Sequence, residues 1–576
     1  MHPLSADGGS GTRSLLGRLL GHHATLAVVL GLLVTVVGVT WNTNSAAGSD
    51  AYGYVSQVEL WLRGDLHIDQ PFALDVPWPR GPWTFAPLGY WPSPDGRRLV
   101  PTYSPGLPLL MAAVKALGGH CLMFWVVPIT GGILILATYG IGRRVGRPLV
   151  GLAAAWIVAT SPAVLFMVMA PMSDVPASAA WAVAVACLLG DTRRGALLAG
   201  LAASMAILVR PNLVPLAALL ALWAGWRDVA IGRWRMWSTS RALSFGAAAS
   251  IGAIAVAVIN VRLNGSPFLS GYGNLSHLFD MTSVQPNIRV YASWFVATQT
   301  PLALLGLLSL AVPARLVWRT PQSRQARCVL AGCVVVVWTT YLLYTVFDEW
   351  WYLRFLLPSW PAIGIGTASL LAMCYRAPSA WARQITVGVL IGLGAWGINE
   401  ASSRGAFTLV DQEATYVEAA LLVQSVTSPD DVIIAGQHSG SIRYYAGRLT
   451  LRWDAMDPKV LDHAVAWLDQ NGHHPYFLLD DWEVARVRSR FGMSERTARL
   501  NWAPVVSIRG GAVQLYDAVR RDQTAQPIAL QGRRAGRCLP PQPPPTLRNL
   551  EARRGQPAAL SAATPPCRPA NGIFAF

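Results

Sequence analysis

Apolar runs long enough to cross a bilayer recur from Ala24 to Asn399, and nothing else in the chain narrows its fold as much. A spanning helix needs roughly 20 mainly apolar residues, whereas a run of about 10–14 suits a helix buried in a soluble core. Runs meeting or approaching the longer length fall at 24–41, 120–141, 149–169, 174–190, 195–209, 212–226, 243–261, 295–314, 328–346, 355–375 and 384–399. They predict an α-helical polytopic membrane protein with about eleven transmembrane helices. Composition agrees: 53% of residues are hydrophobic, 13% are charged and the mean hydropathy is +0.37, outside the usual soluble range. The first run has no small-residue cleavage site after it, so it reads as a retained helix rather than a signal peptide.

The net charge is +16 and the pI about 9.9, yet the arginines lie mainly in short gaps between apolar runs. That distribution points to membrane topology and away from nucleic acid as a partner. Arg13 and Arg18 precede the first run, and Arg143, Arg144 and Arg147 follow the second. Arg193 and Arg194 follow the fourth, and Arg227, Arg233, Arg235 and Arg241 the sixth. Arg315, Arg319, Arg324 and Arg327 after the eighth, with Arg376 and Arg383 after the tenth, keep the alternation. These gaps are expected to face the cytoplasm, with the N-terminus inside and the C-terminus outside. The polar, sequence-rich segments then all lie outside: 42–119, MAPMSDVP, 262–294, FDEWWYLRF and everything beyond about 400. A first loop of about eighty residues is of the length that usually carries function.

The predicted organisation is a cytoplasmic N-terminus (1–23), a membrane module (24–400) with the large external loop 42–119, an extracytoplasmic α/β domain (401–520) and a disordered Pro/Arg-rich tail (521–576). For the α/β domain, the strand-like runs DVIIAG (431–436), YFLLDD (476–481), VVSIR (505–509) and AVQLYD (512–517) alternate with helical patterns near 411–426, 457–470 and 482–490. The GQHSG turn after its first run lacks GxGxxG spacing, and His438 reads there as a loop histidine. The tail's PPQPPP run and repeated arginines cannot build a core. Seven cysteines without CxxC or CxxH spacing argue against a zinc site or a disulfide framework, leaving Cys538 and Cys567 either bridged in an oxidising compartment or free.

Four stretches carry candidate chemistry. GSDAYGY sets Asp50 just past the first span, where a carboxylate can take a proton from an acceptor hydroxyl or amine; its plainer role is to cap the helix that follows. TYSPGLPLL leads into a short apolar run containing Lys115, which either snorkels to headgroups or grips a lipid phosphate. MAPMSDVP sets Asp174 at a helix start, as a cap or as a second carboxylate beside Asp50; no DxD pair calls for a divalent ion. Arg210 in LVRPN, Arg289 in PNIRVYASW and Arg354 in EWWYLRFLLP put positive charge at the outer boundary. There they pair with a lipid-linked phosphate, with Asp348 and Glu349, or with headgroups. Trp78, Trp83 and Trp91 in the first loop read as an interfacial belt or a sugar platform.

Taken with LNGSPFLSGYG (263–273), these motifs and their order resemble the bacterial membrane glycosyltransferases of the GT-C class, nearest the dolichyl-phosphate-mannose protein mannosyltransferase and aminoarabinose transferase branches. The resemblance covers residues 20–400. It implies a GT-C-like fold in a bacterial inner membrane, a sugar donor carried on polyprenyl phosphate, an extracytoplasmic acceptor that is lipid, glycan or protein, and no cofactor or metal. It implies inverting transfer with Asp50 as catalytic base, Asp174 beside the acceptor and Arg354 toward the carrier phosphate; Arg210, Arg289 and Lys115 are further phosphate-binding candidates by their positions alone. Asp50 is followed by Ala51 where protein mannosyltransferases often carry a paired acidic motif, so the acceptor class stays open. The rival readings are a transporter or flippase, which would usually show internal repeats, and a sensor, for which the inner loops are too short.

Overall fold

A computed structural model describes residues 22–230, 239–311 apart from 275 and 277, 315, 317–492, 495–521, 528–530 and 538–543. The N-terminal arginines Arg13 and Arg18, Arg233, Arg235, Cys567 and most of the predicted tail lie outside the described residues.

Every predicted span contains a helix within its described residues. Seven helical segments are long and apolar enough to cross a membrane, and an eighth span forms if the bent pair Pro148–Ala159 and Pro162–Val168, which meet at 64°, counts as one. The remaining three are shorter: α7 (Asp174–Leu188), α8 (Arg193–Val209) and α9 (Val214–Ala230), after α1 (His23–Thr40), α2 (Asp50–Arg63), α3 (Gly106–Gly118), α4 (Val126–Gly146), α5 (Pro148–Ala159) and α6 (Pro162–Val168). Among the described residues seven or eight spans, not eleven, are therefore long and apolar enough to cross. Fifteen and seventeen residues in α7 and α8 rise about 22 and 25 Å, less than the ~30 Å hydrocarbon thickness.

The bundle continues through α10 (Thr239–Asn264), α11 (Val284–Ala311), α12 (Pro321–Leu342), α13 (Trp360–Tyr375) and α14 (Ala380–Ser403). Outward faces stay apolar, as at Leu32, Val36, Ile254 and Ile391, which marks a multi-pass membrane protein. Inside, small residues let backbones meet: a Cβ on Gly132 would stand 2.8 Å from the Gly31 carbonyl oxygen, so α1 and α4 need glycine at their crossing. The arginine-rich gaps gather at one end. Arg241 donates to the Leu188 carbonyl at 3.1 Å and pairs with Asp191 at 2.7 Å, and Arg144 donates to the Ala186 carbonyl, cations answering helix C-termini.

The first loop and the C-terminal domain gather beside the carboxylates. The loop folds as α2, α3 and a three-stranded antiparallel sheet in the order β1-β3-β2: β1 (Ile68–Asp69), β2 (Tyr90–Pro92) and β3 (Arg98–Pro101). After α14, α15 (Leu409–Val426) leads into a six-stranded sheet ordered β5-β4-β6-β8-β7-β9. Its parallel half is β4 (Val432–Ala435), β5 (Leu449–Arg452) and β6 (Pro475–Asp480). β8 (Val513–Asp517) runs antiparallel to β6 and to β7 (Val506–Ile508), with β9 (Ile528–Leu530) outermost. α16 (Leu461–Gln470) and α17 (Asp481–Phe491) complete the α/β domain.

Loop and domain share one core, in which Phe72, Val76, Trp78 and Phe85 pack with Val432, Ile434, Leu449 and Phe477. Trp78 is thus neither belt nor platform: its ring meets Trp467 at 5.5 Å. Arg443 is buried across the seam and donates to Thr450 Oγ1 (2.8 Å), Gln70 Oε1 (3.0 Å) and the Phe85 carbonyl (2.5 Å).

Two features correct the expected tail. Strand β9 lies within it, paired to β7. Cys538 is bridged to Cys121 across 417 positions, with Cα atoms 5.4 Å apart. Spacing along the chain carries no trace of this pair, which is made by the fold.

Candidate active site

Asp50 and Asp174 are each the first residue of a helix, α2 and α7, and each follows a serine at the N-cap. Neither serine caps its own helix. Ser49 Oγ is 2.8 Å from the Tyr103 hydroxyl, and Ser173 Oγ accepts from Tyr54 (2.8 Å) and from Arg210 Nε (3.0 Å). A carboxylate at a helix N-terminus is favoured by the dipole, which leaves both carboxylates free to meet arginine.

Each has one. Asp50 Oδ2 lies 2.6 Å from Arg354 Nη2, and its other oxygen accepts a hydrogen bond from the Tyr103 hydroxyl. Asp174, whose side chain is 1% exposed, pairs with Arg210 Nη2 at 2.6 Å. Burial would raise the Asp50 pKa, but the Arg354 charge and the hydrogen bonds from Tyr103 and Arg354 outweigh it and hold the carboxyl below its ordinary value.

Local structure explains the reach of each partner. Arg354 stands on a ten-residue 3-10 helix, Trp350–Ser359, an unusual length for that geometry, where residues three apart eclipse. Its guanidinium sits 5.0 Å from the Tyr352 ring and 5.3 Å from Phe355. Its Nε is buried and has no hydrogen-bond partner among the described residues. Arg210, at the end of α8, also donates to the Tyr341 hydroxyl (2.9 Å) and lies 5.2 Å from Phe355, so one ring separates the two arginines. Tyr103 reaches Asp50 because Gly53 has no side chain: a Cβ there would stand 2.3 Å from the Tyr103 ring.

Four of the six predicted residues therefore converge as two linked ion pairs. Lys115 and Arg289 touch none of the four. Lys115 is bound to Glu59 of α2, and Arg289 is exposed on α11. Arg354 pairs with Asp50 rather than with Asp348 or Glu349.

Several site residues were not singled out from the sequence. Tyr54, Tyr103 and Tyr272 stand inside the motifs already quoted; Tyr272 packs edge-on to Tyr103 at 5.8 Å. Glu413 of α15 lies outside any motif. Burial, with the Asp50 charge beside it, pushes its carboxyl up to about 7. Among the described residues no three His, Cys, Asp or Glu side chains are grouped as a metal site would need. On the far side of Tyr103 a cleft opens between α2 and the end of α10. Leu60, Trp61, Val256, Ile259 and Leu263 give it apolar walls, and Asn260 and Thr102 line it too.

The sequence matches no protein-family profile. It has no match among curated protein sequences. Solved structures do match. ArnT from Cupriavidus metallidurans bound to undecaprenyl phosphate superposes with a TM-score of 0.54 at 13% identity over 89% of this chain and 100% of that one. The same protein in its apo state gives 0.50 at 12% identity over 88% and 98%. The archaeal oligosaccharyltransferase AglB from Archaeoglobus fulgidus, in complex with an inhibitory peptide and a dolichol-phosphate, gives 0.54 at 10% identity over 88% and 75%. Both are GT-C proteins, and at these identities the likeness speaks for architecture: this chain has the GT-C fold.

Proposed function

We propose that the protein is a membrane glycosyltransferase that moves a sugar from a polyprenyl-phosphate carrier to an extracytoplasmic acceptor with inversion. The observation that carries this reading is the Asp50–Arg354 pair, a carboxylate and a guanidinium 2.6 Å apart with one guanidinium N–H still unpartnered. The carrier phosphate takes Arg354, backed by the charge of Arg210, while its prenyl tail lies in the cleft behind Tyr103 and enters from the bilayer. Asp50 removes the proton from the acceptor hydroxyl or amine as that group attacks the anomeric carbon. The bond from that carbon to the phosphate oxygen breaks, and its electron pair leaves on a phosphate held by guanidinium. The neighbours bound to undecaprenyl phosphate and to dolichol-phosphate support the carrier class. Asp174 holds Arg210 in place and so positions the phosphate side. Lys115 and Arg289 have no part in this scheme.

Arginine-rich gaps at the opposite end support an extracytoplasmic site in a bacterial inner membrane. The test is native mass spectrometry of protein released from lipid nanodiscs, with undecaprenyl phosphate added. A bound carrier lost in Arg354→Ala supports the transferase, and Asp50→Asn should then abolish transfer without loss of fold. A folded sample that takes up no carrier overturns the reading.

A further inference from the structure

Beyond Tyr103 the first loop carries a pair of tryptophans that no core absorbs. Trp83 and Trp91 are half-buried, their rings 5.3 Å apart and inclined at 58°. Trp78 of the same loop shows the contrast: it is buried against Trp467, and its indole N–H donates to Thr84 Oγ1 at 3.1 Å. The indole N–H groups of Trp83 and Trp91 have no acceptor among the described residues. Arg80, exposed and in the left-handed region (φ 60°), holds its guanidinium 5.5 Å from the Trp83 ring, a cation–π contact made from a backbone conformation that non-glycine residues seldom adopt. The pair is tied to Asp50 from two directions. Gly273 lies against Trp91, where a Cβ would stand 3.3 Å from the ring, and its neighbour Tyr272 packs at 5.8 Å on Tyr103, which donates to Asp50. On the other side Gly89 lies against the start of α2, since a Cβ on it would stand 3.0 Å from the Ser49 carbonyl oxygen. At about 3.3 Å per extended residue, Trp91 stands about 7 Å along the chain from that contact. An interfacial belt would face lipid, but the turn carrying Trp83, Gly81–Thr84, packs against β5 and Trp453–Ala455 of the C-terminal domain, and the turn after Trp91 is polar, with Ser93, Asp95, Arg97 and Arg98. Neither tryptophan lines the apolar cleft assigned to the prenyl tail.

We propose that Trp83 and Trp91 form a stacking subsite for a pyranose ring of the acceptor, which makes the acceptor a glycan or glycoside. This rests on the transferase reading and names its acceptor class. A pyranose with equatorial hydroxyls offers a flat C–H face that packs on an indole, while the hydroxyls at its rim take N–H donors. Two inclined rings, two free indole N–H groups and the Arg80 guanidinium supply both kinds of contact. Arg354 meets Asp50 at Oδ2 and Tyr103 meets it at Oδ1, so the phosphate and the tryptophan pair lie toward different oxygens of the carboxylate. A sugar hydroxyl brought to Asp50 then leaves the rest of the acceptor to run past Tyr103 and Tyr272 and over the two rings.

The probe is cellotetraose, whose rings present such faces, titrated into the full-length protein in lipid nanodiscs and read by saturation-transfer NMR. Sorbitol, hydroxylated but without a ring, is the control. Cellotetraose should bind saturably and sorbitol should not. Trp83→Ala and Trp91→Ala should each raise Kd about three- to tenfold, the range of one aromatic contact, and Trp91→Phe should recover most of the loss. Tm shows that each variant is folded. Where an alanine variant does not fold, Arg80→Ala, at an exposed position, carries the test and should weaken binding about twofold or more; unchanged affinity there overturns the proposal. So does a wild type without saturable binding, or equal affinity in both tryptophan variants. If those variants lose co-purifying phospholipid while sugar affinity holds, the pair is an interfacial belt and the proposal falls. Undecaprenyl phosphate titrated into the same samples separates the two readings. If it binds with Arg354-dependence while cellotetraose does not bind, only the stacking subsite falls. If it does not bind, the transferase reading falls.

Discussion

Removing the catalytic charge should tighten donor binding while it stops the reaction. In the resting site Arg354 Nη2 is engaged by Asp50 at 2.6 Å, Nη1 touches only the Met172 sulfur at 3.7 Å, and Nε is unpartnered. A phosphate gripped in bidentate fashion through Nη2 and a second N–H must take Nη2 away from the carboxylate. Asp50→Asn replaces an ion-paired hydrogen bond by one in which only the guanidinium is charged, a move from the upper toward the lower end of the roughly 1.5–3 kcal/mol for bonds to charged groups, so the phosphate displaces a rival weaker by about 1–1.5 kcal/mol. That is about five- to tenfold in Kd, and the lost repulsion between carboxylate and phosphate acts in the same direction. The assay is an undecaprenyl phosphate titration of wild type and Asp50→Asn in nanodiscs, with Arg354→Ala in both backgrounds. Equal or weaker binding in Asp50→Asn would refute the competition. In the proposed mechanism the same competition strengthens the base: phosphate that draws Arg354 off would leave Asp50 without its counter-charge and more basic as a proton is taken.

The acid limb of the rate profile follows from the same pair. The Asp50 pKa is lowered in the free protein, so its ionised form persists as pH falls below about 4 and is lost only through the lowered value. The limb of kcat/KM should therefore lie below that of kcat, and initial rates against pH check the order. Tyr103→Phe removes a hydrogen bond that lowers Asp50 and should move the kcat/KM limb upward. Arg210→Ala leaves the buried Asp174 charge unpaired and should cost about 3–5 kcal/mol, read as a fall in Tm that Arg210→Lys partly restores. Lys115→Ala should leave undecaprenyl phosphate affinity within about twofold, because Glu59 and not phosphate holds that lysine. Cys121→Ser should expose residues 538–543 to limited proteolysis while donor binding is unchanged.

What the sequence made legible was whatever has a short period. Apolar runs marked all the helices of the bundle, and four of the strands of the C-terminal sheet stand out as apolar stretches. Strand β5 was not singled out, being four residues that include Thr450 and Arg452, and β9 is three residues in a Pro/Arg-rich setting. Pairings were the harder part. Asp50 and Arg354 each stood out, but the acids next to Arg354 in sequence, Asp348 and Glu349, were the visible partners, whereas the actual one is 304 positions away. Lys115 drew attention as a lone cation because Glu59, 56 positions earlier, shows no local pattern with it.

The core shared by the first loop and the last domain also sets an order of assembly. Phe72, Trp78 and Phe85 emerge about 350 residues before Ile434 and Leu449 complete their burial, and Gln70 meets Arg443 across 373 positions. At roughly 5–20 residues per second of synthesis the loop waits about 20–70 s unfinished, its aromatic side chains open to whatever surrounds them. The segment before Asp50 is held by the same late domain, through Tyr445 on Ala46 and Tyr416 beside Gly48. The aromatic side chains of the loop are thus buried only when the chain's final third has folded against them.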